Sequence, residues 1–76
     1  MNKARRARLN AAINALYEWK TEIEAIKDEE EEARDNLPES LQSSDMYEAM
    51  DDAVDNMDSA LDNIDDAIGS LEGAME

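Results

Sequence analysis

The chain has no cysteine, no histidine and no phenylalanine, a single proline and two glycines, and beyond Arg34 it has no basic residue at all. Each absence excludes something. Without cysteine there can be no disulfides and no thiolate metal ligands, and without histidine there is no imidazole to hold a metal or move a proton near neutral pH. Ser43 and Ser44 have no base beside them, so they read as helix caps rather than nucleophiles. The composition therefore argues against an enzyme and calls for no cofactor. No apolar run is long enough for a secretory leader or a membrane span, which sets the expectation of a cytoplasmic protein without membrane contact. The arginine-rich start superficially resembles an organelle-targeting peptide, but its apolar spacing continues unbroken into the acidic region, as a structural helix requires.

With 76 residues the chain forms one domain, 1–76, whose own core is marginal at this size. With disulfides and metal excluded, self-association is the remaining source of stability. Two apolar patterns run through the sequence. The first passes through Leu9, Ala12, Leu16, Trp19, Ile23, Ile26, Glu30, Ala33 and Leu37 at alternating spacings of three and four, which is a heptad seam. The second passes through Met46, Met50, Ala53, Met57, Ala60, Ile64, Ala67, Leu71 and Ala74. Two long helices follow, over about residues 3–36 and 45–73, with a turn at 37–44.

The turn reads "LPESLQSS". Pro38 disfavours a helical Leu37, while Asp45 and Glu48 stand at capping-box spacing for the second helix. So short a connection favours an antiparallel hairpin with arms of about 45 Å.

Written in sevens, the second helix repeats its chemistry. Alanine recurs at 53, 60, 67 and 74, large residues at 50, 57, 64 and 71, and a third apolar column at Val54, Leu61, Ile68 and Met75. Three columns exceed a two-helix seam and suit a bundle face. The expected fold is all-α: an antiparallel two-helix hairpin that pairs with a second copy as a homodimeric four-helix bundle, or else completes its core on another protein. Its packing residues would be Leu9, Leu16, Trp19, Ile23 and Ile26 on one arm, and Met50, Met57, Leu61, Ile64, Ile68 and Leu71 on the other. In this reading the hairpin alone leaves one of the three columns wet. Trp19 reads as core, and Tyr17 and Tyr47 as the better candidates for partner contact.

Charge is segregated. Residues 1–38 carry seven bases and nine acids, residues 39–76 twelve acids and no base. Lys20, Lys27 and Arg34 recur every seven residues, as do Asp51, Asp58, Asp65 and Glu72, so basic and acidic stripes should flank the seam. Arg5, Arg6 and Arg8 should meet Glu72, Glu76 and the negative end of the second helix. The outer face then keeps Asp52, Asp55, Asp62 and Asp66 with nothing to neutralise them. One account is a solvated face that keeps the protein soluble. The sharper account is imitation of a nucleic acid, since ten acids from Asp45 to Glu72 spread over about 42 Å of helix, comparable to the phosphate spacing of one DNA strand.

The run Asp28 to Glu32 is a charge run rather than a cation site, because consecutive helical residues diverge and the calcium-loop glycine is missing. Glu30 on the apolar seam marks either fraying or register control. Gly69 and Gly73, outside the apolar columns, point either to a loosened C-terminus or to close backbone approach by something external.

The segment from Asn36 to Gln42 followed by an acidic, alanine-spaced helix resembles a group of small acidic helical proteins of Firmicutes and their phages and mobile elements. In that group an Asn-Leu/Met-Pro-Glu-x-Leu-Gln turn precedes such a helix. The resemblance covers about half the chain; it implies a helical hairpin and a phage or mobile-element origin, hence the host-cell cytoplasm. It supplies no catalytic residue. The resulting expectation is a non-enzymatic interaction module that binds no nucleic acid itself and inhibits a basic nucleic-acid-binding defence protein. The alternative is a structural adaptor whose acids only confer solubility.

Overall fold

The N-terminal half is rich in alanine, glutamate and arginine and has no interior glycine or proline, so its helix propensity is uninterrupted. In the computed structural model, which describes residues 1–76, it forms a single helix, α1, over Lys3–Asp35. The Asn2 side chain caps it, accepting from the Arg5 amide at 2.8 Å. Pro38 cannot continue the helix, and the chain turns through a short 3-10 segment at Glu39–Leu41. The Gln42 amide donates to the Leu37 carbonyl at 2.7 Å and closes the turn. The second helix, α2, spans Asp45–Ala74.

Of the capping residues that the sequence offers, Ser44, one before Asp45, is the one used: its hydroxyl accepts from the Tyr47 amide at 3.3 Å and donates to the Leu41 carbonyl at 2.6 Å, so it ties turn and helix together. With the cap one residue earlier, Glu48 falls outside capping-box spacing, and Asp45 and Glu48 instead place negative charge in the first turn, where the helix dipole favours it. Ser44→Ala should lower stability by about 1 kcal/mol. In a chain of this size that is a fall of roughly 4–8 °C in the thermal midpoint followed by circular dichroism, and Asp45→Ala should cost less.

The two helices pack side by side along their whole length as an antiparallel hairpin of 59 × 15 × 12 Å, with no strand. The core is thin. Only Ile13, Val54, Leu61 and Ile68 are buried, and the seam they occupy corrects the expected one on both helices. On α1 the Leu9, Leu16, Ile23 column does face α2, half-buried, but it alternates with Ile13, Lys20, Lys27 and Arg34 rather than with Ala12, Trp19, Ile26 and Ala33. Trp19 is 65% exposed and Ile26 45% exposed, so neither packs in the hairpin core. On α2 the third column, Val54, Leu61 and Ile68, is the most buried, with Leu61 and Ile68 packed as expected, while Ala67 and Ala74 are exposed and Ala53 and Ala60 half-buried.

Two physical terms account for the shift. Val, Leu and Ile bury more apolar area against α1 than alanine does. Lys20, Lys27 and Arg34 lay their methylene stems over the seam while their charged ends reach α2, so a basic column can substitute for an apolar one. Gly69 and Gly73 both lie inside α2, and a Cβ at either would meet nothing within 4 Å, so no close backbone approach within the chain requires glycine there.

Candidate interaction surfaces

The hairpin has two long faces of different character, both set by heptad position. On one, three ion pairs form a ladder between the helices. Lys20 Nζ lies 2.7 Å from Asp65 Oδ1, Lys27 Nζ 2.7 Å from Asp58 Oδ1, and Arg34 Nη1 2.6 Å from Asp51 Oδ1. As α1 advances by seven residues α2 retreats by seven, which is the antiparallel register expected of the two stripes. Lys20 and Lys27 also reach Glu24 and Glu31 one turn on, at 3.8 and 3.5 Å. At the turn end Arg34 is held three ways, by Asp51, by Asp35 at 3.0 Å, and by its stack 5.9 Å from the Tyr47 ring centre.

These contacts hold all three cations in their charged form. The hydrogen bond that Lys20 donates to Asp65 raises it above the ordinary 10.5, against the partial loss of solvent. Asp58 does the same for Lys27, and Asp35, then Asp51, for Arg34. A cation whose value is raised on folding contributes its full stabilisation below the unfolded value and loses it as pH climbs through the folded one. The thermal midpoint should therefore stay level through neutral pH and fall only above about pH 10.5, as a melting series across alkaline buffers will show.

The ladder consumes Asp51, Asp58 and Asp65 and leaves the outer face of α2 untouched. Asp52, Asp55, Asp62 and Asp66 are all exposed, and none lies within ion-pair distance of a base. Of the two tyrosines expected to meet a partner, Tyr17 is 48% exposed with its hydroxyl 3.4 Å from Glu72, while Tyr47 is half-buried under Arg34. The expected meeting of the N-terminal arginines with Glu72 and Glu76 does not form as ion pairs. Only Arg6 reaches α2, donating from Nε to the Met75 carbonyl at 3.1 Å, close to the negative end of the helix.

The opposite face is apolar and open. Ala12, Trp19, Ile26 and Ala33 lie on the flank of α1 turned away from the lysines, and Ala53, Ala60 and Ala67 on the flank of α2 turned away from the paired aspartates. Because the lysines and aspartates meet on one face, the two other flanks share the opposite one. Shallow depressions mark it, one lined by Met1, Arg5, Arg8, Leu9 and Ala12, another by Glu18, Trp19 and Glu22.

No three carboxylates converge on a point, no polar side-chain atom is buried without a partner, and neither helix is long and apolar enough to cross a membrane. Ile13 is the core residue that the sequence pattern missed. Its signal was the seven-residue recurrence with Lys20, Lys27 and Arg34, which reads as a charged stripe until the lysine stems are counted as apolar surface. Comparison with protein-family models, curated proteins and solved structures finds no match for this chain.

Proposed function

We propose that the protein is a non-enzymatic interaction module that binds a basic, nucleic-acid-binding protein through the outer acidic face of α2, as an inhibitor carried by a phage or mobile element against host defence. The observation that carries this reading is the separation of the acids. The hairpin uses one stripe for its own ladder and keeps a second stripe, Asp52, Asp55, Asp62 and Asp66, free of any cation. A helix that needed only solubility does equally well with mixed charge, whereas Asp62 and Asp66 repel one another one turn apart and lower its stability. A single-signed face along a rod enters a groove built for a phosphate backbone, with an affinity that falls as salt rises. The same reading completes the fold by pairing two hairpins in a four-helix bundle, which leaves both acidic faces outward.

A second reading is favoured by the thinning of that charge. With three of the ten acids between Asp45 and Glu72 consumed by the ladder, the remainder average one per about 6 Å, sparser than the phosphates of a single strand. On this reading the chain is a structural adaptor or assembly coiled coil and the acids confer solubility.

Replacing Asp52, Asp55, Asp62 and Asp66 with Asn separates the two. Wild type and variant are used as bait in lysate of the source cell, and captured proteins are identified by mass spectrometry. The inhibitor reading expects a nucleic-acid-binding protein on the wild type alone, released by added duplex DNA and by salt. Equal capture by both, or self-association only, establishes the adaptor. The variant itself should fold, with stability raised by a few tenths of a kcal/mol from the relieved repulsion; unfolding would overturn the assignment of these residues to the surface.

A further inference from the structure

The heptad seam that α1 presents through Trp19 and Ile26 is not used inside the hairpin, and we infer that its occupant is the alanine lane of α2 in a second copy of this chain. The inference rests on the pairing of two copies proposed above and is independent of the acidic face. Three observations carry it.

The first is area. A compact protein of 8.5 kDa exposes about 4,700 Å², and this hairpin exposes 5466 Å². The excess, about 800 Å², matches what one partner buries in a standard interface. The second is shape. Two large side chains stand out from α1 at 65% and 45% exposure, and on the same face α2 runs a lane of single methyl groups at Ala53, Ala60 and Ala67. Large against small is how facing helices interdigitate.

The third observation is charge, and it selects the arrangement. A second hairpin turned about an axis across the helices sets α2 against α2, bringing together two halves that each hold twelve acids and no base. An axis parallel to the helices sets α1, within the half that holds seven bases and nine acids, against the partner's α2, so that a net charge of minus two rather than minus twelve faces the acidic half, and it keeps every neighbouring pair antiparallel. It also fixes the level. The ladder places residue 20 opposite 65 and residue 27 opposite 58, and rotation about a parallel axis preserves height, so Trp19 meets the partner's Ala67 and Ile26 meets the partner's Ala60. Exposed indole and isoleucine thereby become the centre of an interface whose two halves are identical.

Cross-linking tests this directly, because the chain has no cysteine of its own. Ile26→Cys and Ala60→Cys are made in separate chains, mixed in denaturant, refolded together and oxidised with diamide. The expected result is a covalent dimer holding one chain of each kind, absent when either variant is treated alone. Trp19, the only tryptophan, should emit at shorter wavelength in the dimer and shift to the red on dilution. If the wild type sediments as a monomer at its highest soluble concentration, the pairing itself is overturned. If it sediments as a dimer but the mixture does not link, or either variant links to itself, the pairing stands and the seating of Trp19 and Ile26 on the alanine lane is overturned.

Discussion

Leu61→Ala should be among the most damaging single substitutions in the chain, lowering its thermal midpoint by roughly 8–24 °C. Leu61 is one of four buried residues and lies mid-way along α2, between Val54 and Ile68 in the same column. Truncating a buried leucine costs its transfer free energy plus the cavity left behind, here about 2–3 kcal/mol given the shallow core. A chain of this length has a total stability on the order of 4–11 kcal/mol at the usual value per residue, so one substitution removes a large share of it. The measurement is a urea or thermal melt followed at 222 nm. Met46→Ala is the control: Met46 is 56% exposed, and its loss should change stability by less than about 0.5 kcal/mol. If Met46→Ala were as damaging as Leu61→Ala, the assignment of the core to the Val54 column would be wrong.

Reversing the ladder should do comparable damage by a different route. Replacing Lys20, Lys27 and Arg34 with Glu leaves four bases against twenty-four acids where the chain had seven against twenty-one, and sets three like-charged pairs at the ladder positions. The triple variant should be unfolded at low salt and regain helix content in high salt, since the screening length shrinks from about 10 Å at 0.1 M to about 3 Å at 1 M. Adding Asp51→Lys, Asp58→Lys and Asp65→Lys rebuilds each pair with its polarity exchanged and returns the net charge to that of the wild type. The six-fold variant should fold in low salt. Recovery of this kind depends on the pairs being 20 with 65, 27 with 58 and 34 with 51, because a hairpin slipped by even one turn would not match exchanged charges. A six-fold variant that stayed unfolded would overturn the register.

These two experiments divide the molecule along the line between what was readable in its letters and what was not. Helix existence, extent and order are written in the sequence, because apolar spacings of three and four over several heptads, a proline between them and capping residues on either side admit no other secondary structure. Which base meets which acid follows from the register of the folded hairpin, but the stripes themselves were readable for the same reason: residues seven apart share a face, so Lys20, Lys27 and Arg34 form one column and Asp51, Asp58 and Asp65 another. So was the outward position of Asp52, Asp55, Asp62 and Asp66, which follows from the turn angle once the stripes are placed.

The choice of contact surface was not readable. Neighbouring positions such as Trp19 and Lys20 differ by about 100° around the helix axis, and both lie close enough to a seam centred on Leu16 and Ile23 to be turned inward. Which one is inward depends on the other helix. α2 offers three apolar columns, and only their simultaneous packing against α1, together with the inward pull of three aspartates on lysine and arginine stems, settles that Val54, Leu61 and Ile68 go to the centre while Trp19 and Ile26 stay outside. The amino-acid sequence by itself determined the elements, their antiparallel order and the charge that each face carries, since all three follow from local spacing. Tertiary structure alone decided which apolar columns are covered and which are left open, because burial is a property of two surfaces in contact and neither helix contains the other's geometry.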